Sequence, residues 1–236
     1  MLKPLLNLFF PPQCLVCDAL VPTHGTLCTH CWNNVPFISA PMCACCGLPL
    51  EFAVDENTLC GECLREHPPY SRARAAFVYN EASRTLVMKL KYQDDTYLAP
   101  IFARWLKNAG AELITASDLI IPVPLHYWRM VSRRYNQSLL LARILGEHTG
   151  LPLLADGLKR TRATPQQTGL TRPQREKNVK NAFSVPEKHR ALIKGKSILL
   201  IDDVMTTGAT LAACTKTLLK ADAGQVNVLT LSRTKS

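Results

Sequence analysis

The chain has 236 residues, 47% hydrophobic and 19% charged, enough for one core of ordinary size plus a small added module. Its formal net charge of +10 is unevenly divided: residues 1–70 hold two Lys/Arg against six Asp/Glu, and the remainder hold 26 against 12. No stretch reaches the roughly 18 consecutive apolar residues of a membrane-spanning helix, so the expected compartment is the cytoplasm.

The opening run Leu5-Leu6-Asn7-Leu8-Phe9-Phe10 is apolar but short. It is broken by Asn7, stops at Pro11-Pro12 and lacks a small-residue cleavage site, so it reads as neither a span nor a secretion signal. Nine of the ten cysteines then lie between Cys14 and Cys63. Without a secretion signal, metal explains that concentration better than disulfides. Four knuckles are visible: Cys14-Leu-Val-Cys17, Cys28-Thr-His-Cys31, Cys43-Ala-Cys45-Cys46 and Cys60-Gly-Glu-Cys63. Tetrahedral zinc takes four thiolates, two from each of two knuckles. The expectation is two structural zinc ions, one on Cys14, Cys17, Cys28 and Cys31 and one on Cys43, Cys46, Cys60 and Cys63, with an interleaved pairing left open. Gly47 suits a left-handed turn behind Cys46. Cys45 is then a spare thiol, and His24 and His30 read as surface residues. The module's acidic balance argues against its being the main phosphate-binding surface, while leaving it free to touch a protein partner.

A linker near Glu66-His67-Pro68-Pro69-Tyr70 divides the chain into an expected module at 1–68 and a domain at 69–236. A strand is predicted at 75–79, then a helix from Ser83 to Tyr92 with Leu86 and Leu90 spaced four apart and Lys89 and Lys91 in its last turn. A strand at 118–123, a helix through Leu139, Leu140, Ala142 and Leu145, and a strand near Leu153 follow. Between Lys159 and Lys196 there are eleven Lys/Arg and two acids, a loop suited to polyphosphate or nucleic acid. A strand at 198–201, a helix from Leu211 to Lys220 and a strand at 225–231 complete the order. This alternation predicts an α/β fold, a mostly parallel sheet with helices on both faces and the ligand at the carboxyl ends of its strands.

The strand Ile198-Leu199-Leu200-Ile201 ends on Asp202-Asp203, and buried strands do not end on paired carboxylates without a use for them. Val204 to Thr210 then turns into a helix, whose first N–H groups and nearby hydroxyls make an anion cradle. Ile198 to Thr210 resembles the 13-residue signature of the type I phosphoribosyltransferases. The resemblance implies that Asp202 and Asp203 face the ribose hydroxyls of phosphoribosyl pyrophosphate, directly or through Mg²⁺. It also implies that Thr206, Thr207, Gly208, Ala209 and Thr210 hold the 5′-phosphate of that ligand or of a ribose 5-phosphate.

A second set of residues is similar to the ComF competence protein family over nearly the whole chain: Ile120 to His126, Arg133-Arg134-Tyr135-Asn136-Gln137 opening a helix, Lys91-Tyr92, the cysteine module, and the basic stretches 160–167 and 175–183. The family usually has Gly-Phe where this chain has Arg134-Tyr135. That resemblance implies a phosphoribosyltransferase-like domain used in handling single-stranded DNA during uptake, transformation or DNA utilisation, the alternative being an active transferase with an unknown acceptor and unassigned catalytic residues. Arg133, Arg134, Arg160, Arg162, Arg172, Arg175 and Lys177 are the candidates for gripping nucleic acid or pyrophosphate. Tyr127, Trp128 and Tyr135 read either as base-stacking platforms among those arginines or as core residues of a helix start.

Overall fold

The computed structural model describes residues 9–52, 55–92, 98–125, 135–162 and 172–235. Four strands form one parallel sheet in the order β1-β6-β5-β2: β1 (Ala73–Val78), β2 (Leu119–Pro122), β5 (Ser197–Met205) and β6 (Gln225–Arg233). Burial dictates that order. Ile198, Leu199, Leu200 and Ile201 of β5 and Val228, Leu229 and Leu231 of β6 are essentially inaccessible, as expected of central parallel strands covered on both faces.

One core packs α4 (Ala99–Ala109) and α6 (Gln137–Thr149) on the sheet through Phe102, Leu106, Leu141 and Leu145, with α3 (Glu81–Tyr92) contributing Leu86 and Leu90. The other core sets Leu211, Cys214 and Leu218 of α9 (Ala209–Leu219) against Ile198, Leu200, Val226 and Val228. Helix α6 starts on Asn136, whose side chain accepts from the N–H of Ser138 and Leu139, and it stops at Gly150 in the left-handed region.

The cysteine region is built onto this sheet. It contributes α1 (Thr29–Asn34) and α2 (Gly61–Arg65), each beginning directly after a cysteine. Leu15 and Val35 enter the first core, and Cys43, Cys45, Cys46, Cys60 and Cys63 enter the second. Its backbone also covers the free edge of β1. Ile38 N–H donates to Ala76 O at 2.9 Å, Val78 N–H to Pro36 O at 2.9 Å and Ala73 N–H to Cys45 O at 2.7 Å. An uncovered β1 would present a row of unpaired backbone groups, so these bonds also guard against edge-to-edge association.

Several elements differ from the sequence expectations. Strand β5 does not stop at Ile201 but carries Asp202 and Asp203 on to Met205, because β6 continues to pair with it at Thr230, Ser232 and Arg233. Helix α9 begins at Ala209, two residues before Leu211. The strand near Leu153 is a single parallel bridge to Ile120. The basic segment contains structure of its own: β3 (Lys159–Arg160) pairs antiparallel with β4 (Phe183–Ser184), and between them lies α7 (Arg172–Val179). After β4, a 3-10 turn at Glu187–His189 leads into α8 (Arg190–Ile193).

Candidate functional site

Asp202 and Asp203 sit on β5, a central strand, within its last four residues. The Ser138 hydroxyl, on the first turn of α6, donates to Asp202 Oδ1 at 2.9 Å, and the Asp203 N–H donates to the same oxygen at 2.9 Å. Burial of the Asp202 carboxyl, reinforced by the adjacent Asp203 charge, pushes its pKa up to about 7 against these two bonds. Asp203 pairs with Lys91 Nζ at 3.1 Å.

That lysine is delivered by a brace. The Tyr135 hydroxyl donates to Leu90 O at 2.6 Å, and Gln137 Nε2 donates to Lys91 O at 3.4 Å. Asn136, besides capping α6, donates from Nδ2 to Val123 O at 3.2 Å. Residues 135–138 therefore tie the end of α3, the end of β2 and the Asp202 carboxylate together. Of the two readings open for Tyr135, the structure favours the structural one.

Beyond β5 the chain turns through Thr206, Thr207 and Gly208 into α9. Gly208 lies at φ +73°, where a residue with a Cβ is strained, and it occupies the N-cap of the helix. No side-chain hydrogen bond from the Gly208 N-cap closes that end, as a glycine has no side chain to offer. The buried Thr207 hydroxyl has no hydrogen-bond partner among the described residues. The loop is held from behind by the residue after β6: Thr234 N–H donates to Met205 O at 2.9 Å and the Thr234 hydroxyl to Thr206 O at 3.4 Å. Hydroxyls and a helix N-terminus that no side chain caps amount to an anion cradle. It lies on the same strand-to-helix connection as two carboxylates, one paired with a lysine.

The basic candidates fall into three groups. Arg160 lies with its guanidinium carbon 5.4 Å from the Phe183 ring centre, and Arg162 donates to the carbonyls of Asn178 and Lys180 at 2.9 and 3.0 Å, clasping the end of α7. Lys177 is exposed on α7 and lines a cleft beside α9. Arg133 and Arg134, with Tyr127 and Trp128, lie outside the described residues, as do the side chains of Arg172 and Arg175.

The cysteines gather in sequence order. The sulfurs of Cys14, Cys17, Cys28 and Cys31 lie within 4.8 Å of one another, and so do those of Cys43, Cys46, Cys60 and Cys63. Backbone N–H groups already point at sulfur, as a thiolate requires. Cys28 N–H reaches Cys14 Sγ at 3.2 Å, and the N–H groups of Cys46 and Cys60 reach Cys43 Sγ at 3.5 and 3.3 Å. Hydrogen bonding from the Cys46 thiol, together with these N–H groups, brings Cys43 down to about pKa 4 despite its burial. Four sulfurs at this spacing, with donors to stabilise charge, fit tetrahedral zinc. Gly47 does lie in the left-handed region, at φ +67°, and a Cβ there would come within 2.6 Å of Ala73 O. Cys45 is buried beside the second cluster, while His24 and His30 are exposed.

Two side chains that the sequence did not single out connect that cluster to the phosphate loop. Arg233, 2% exposed, donates to Cys46 O from the residue that pairs with Met205. Tyr70 is buried among the second-cluster cysteines, and its hydroxyl lies 4.0 Å from where a Gly208 Cβ would be. Neither could be found from local pattern, because their partners are distant in sequence.

Comparison with known proteins bears on both halves. Residues 5–66 match the double zinc ribbon domain, and residues 114–236 match the phosphoribosyl transferase domain. The two clusters are accordingly four-cysteine zinc-binding sites. The chain is 31% identical to "Competence protein F" of Haemophilus influenzae over 95% of its own length and 98% of that protein's. It is 32% identical to "DNA utilization protein YhgH" of Salmonella typhimurium, again over 95% and 98%. Among solved structures it is similar to the allosteric regulatory enzyme of purine biosynthesis, with a TM-score of 0.41 and 21% identity over 61% of this chain and 30% of that one. The chain therefore belongs to the family of competence protein F and the YhgH DNA utilization proteins, a double zinc ribbon followed by a phosphoribosyl transferase domain.

Proposed function

We propose that the protein binds phosphoribosyl pyrophosphate with Mg²⁺ at Asp202 to Thr210 and handles single-stranded DNA, in the cytoplasm, in the DNA utilisation or competence for which its relatives are named. The observation that carries the ligand reading is the pairing of two carboxylates with an uncapped helix start and a buried, unpartnered Thr207 hydroxyl on one connection. In this reading Thr206, Thr207, Gly208, Ala209 and Thr210 hold the 5′-phosphate. Asp202, oriented by Ser138, and Asp203, oriented by Lys91, receive the ribose hydroxyls or the magnesium ion, which when bound neutralises the diphosphate. Lys91 is displaced from Asp203 or shares it with the ligand. The arginines at 133, 134, 160, 162, 172 and 175 and Lys177 supply positive charge for diphosphate or for a DNA backbone. No helix among the described residues is long and apolar enough to cross a membrane. Exposed Leu20, Trp32 and Leu64 on the zinc module support a protein partner there.

Calorimetric titration of phosphoribosyl pyrophosphate with Mg²⁺ tests the reading. Asp203→Asn removes a charged acceptor worth roughly 1.5–3 kcal/mol, so binding should weaken by tenfold or more. Equal binding by wild type and variant would refute the role of Asp203. Affinity should also rise between pH 6 and pH 8, because Asp202 releases its proton near pH 7 and only the carboxylate attracts a cation. A flat profile over that range would remove Asp202 from the site.

A working transferase is the second reading, favoured by the intact acid pair. The binding role is preferred because basic charge is concentrated in residues 71–236, with 26 Lys/Arg against 12 Asp/Glu, which suits a polyanion more than a single acceptor. Pyrophosphate release against a panel of bases and amines separates the two.

A further inference from the structure

A cleft of about 1000 Å³ runs along the outer side of α9 and opens at one end on Thr207, Gly208 and Ala209. Its walls are the linker at 66–70 on one side and residues 177–185 on the other, with Arg190 nearby. Its floor is small and nearly featureless, made by Ala209, Ala212 and Ala213 of α9 with Ala182 and Ala221. Five cations line it, Lys177, Lys180, Arg190, Lys216 and Lys220, against a single carboxylate, Glu66. Arg190 is paired with Glu187 at 2.8 Å, but the four lysines are exposed and show no carboxylate partner among the described residues.

We infer that this cleft is the track for the backbone of single-stranded DNA, a surface separate from the acid pair and sharing with the phosphate site only Thr207 to Ala209. The inference rests on the DNA-handling reading above and gives it a location. Charge decides the class of occupant, since five cations facing one acid attract a polyanion and repel a basic surface. The arrangement of that charge decides the rest. Lys216 and Lys220 are four residues apart on a helix, so they stand about 6 Å apart along its axis on one face, and Lys177 and Lys180 line the opposite wall. Such a row suits a polymer that repeats one negative charge at each step. An acidic protein segment would also need an apolar anchor to bind tightly, and the alanine floor offers no pocket for one. Of the rings that line the cleft, Tyr70 and Phe183 are buried and His67 alone is exposed, so the cleft should hold backbone phosphate with little preference for sequence.

The test is anisotropy of a labelled oligothymidylate on the full zinc-loaded chain at several salt concentrations, with Lys216→Ala/Lys220→Ala as the variant. Both side chains are exposed, so the fold should persist, and unchanged calorimetric binding of phosphoribosyl pyrophosphate with Mg²⁺ checks that it does. The expected result is roughly tenfold weaker DNA binding and a salt slope shallower by about 1.4, two phosphate contacts at about 0.7 each. A mixed-sequence oligonucleotide of equal length should behave like oligothymidylate. If wild type binds DNA and the variant binds it equally well with an unaltered slope, the cleft is not the track, while the DNA-handling reading survives. If wild type binds no oligonucleotide even at low salt, the DNA-handling reading falls and takes the track with it. If polyglutamate of equal length binds more tightly than the oligonucleotide and loses that affinity in the variant, the occupant is an acidic protein segment and the inference is overturned.

Discussion

Cys60→Ser should abolish cooperative unfolding of the entire chain, whereas Cys17→Ser should leave the parallel sheet folded. All four sulfurs of the second cluster are buried, and their residues share one core with Ile198, Leu200, Leu211 and Leu218 of β5 and α9. Arg233, the last residue of β6, is buried against Cys46 with no carboxylate among the described residues to balance it. A zinc tetrathiolate carries net negative charge and answers that cation. Losing the ion therefore removes a crosslink and also strands a buried guanidinium, a combination that costs several kcal/mol. In the first cluster Cys17 is exposed and Cys28 only partly buried, and the residues tied to the sheet are Leu15 and Val35 rather than the ligands themselves. Elemental analysis should return two zinc ions per chain for wild type. A chelator should remove the first before the second, with circular dichroism changing only on the second loss. Equal destabilisation of the two variants in thermal melts would mean that the second cluster is no more a part of the sheet core than the first.

The zinc pairing was legible only in part: ten residues separate Cys17 from Cys28 and thirteen separate Cys46 from Cys60, both usable ribbon loops, but eleven separate Cys31 from Cys43, so spacing left an interleaved pairing open and the structure gathers the sulfurs in sequence order. The phosphate element was legible because its strand, loop and helix start are contiguous. Helix α4 has no counterpart among the sequence expectations although Leu98, Phe102 and Leu106 repeat at helical spacing, and Pro100 does not prevent it. In the structure Pro100 occupies the first turn, where its missing N–H is no loss. The extension of β5 through the acid pair was not legible either, since Asp202 and Asp203 disfavour strand by themselves and are held there by β6. The same holds for Ser138, whose hydroxyl meets Asp202 across 64 residues of chain, and for Arg233, 187 residues from Cys46. Local pattern reports local bonds, and these are tertiary. How closely the cysteine region covers β1 was likewise invisible, because Pro36 and Ile38 carry no edge-pairing signal.

Asp202→Asn should make the protein more stable at pH 8 while weakening the proposed binding of phosphoribosyl pyrophosphate. In the fold the Asp202 carboxyl has a pKa near 7 against an ordinary value of 3.8, so between those values the native state binds more protons than the unfolded chain. Stability contributed by this group is therefore full below about pH 4 and is lost as pH rises through 7. At pH 8 the native state carries an anion that its surroundings disfavour, through burial first and the Asp203 charge second. Asparagine keeps an oxygen for the Ser138 hydroxyl and the Asp203 N–H, and it carries no charge to bury. A tenfold change in proton affinity corresponds to about 1.4 kcal/mol, so even half of the rise in the Asp202 pKa amounts to roughly 2 kcal/mol, or about 4–8 °C in melting temperature for a chain of this size. The melting temperatures of wild type and variant should converge below pH 4, where both side chains are neutral. Addition of phosphoribosyl pyrophosphate with Mg²⁺ should then raise the wild-type melting temperature at pH 8 and move the variant's much less, since only the carboxylate attracts the metal ion or accepts strongly from the ribose. A carboxylate retained where the fold would be steadier without it is the stability–function opposition of a binding site. A variant no more stable than wild type at pH 8, with equal ligand-induced changes in melting temperature, would make Asp202 an ordinary strand residue.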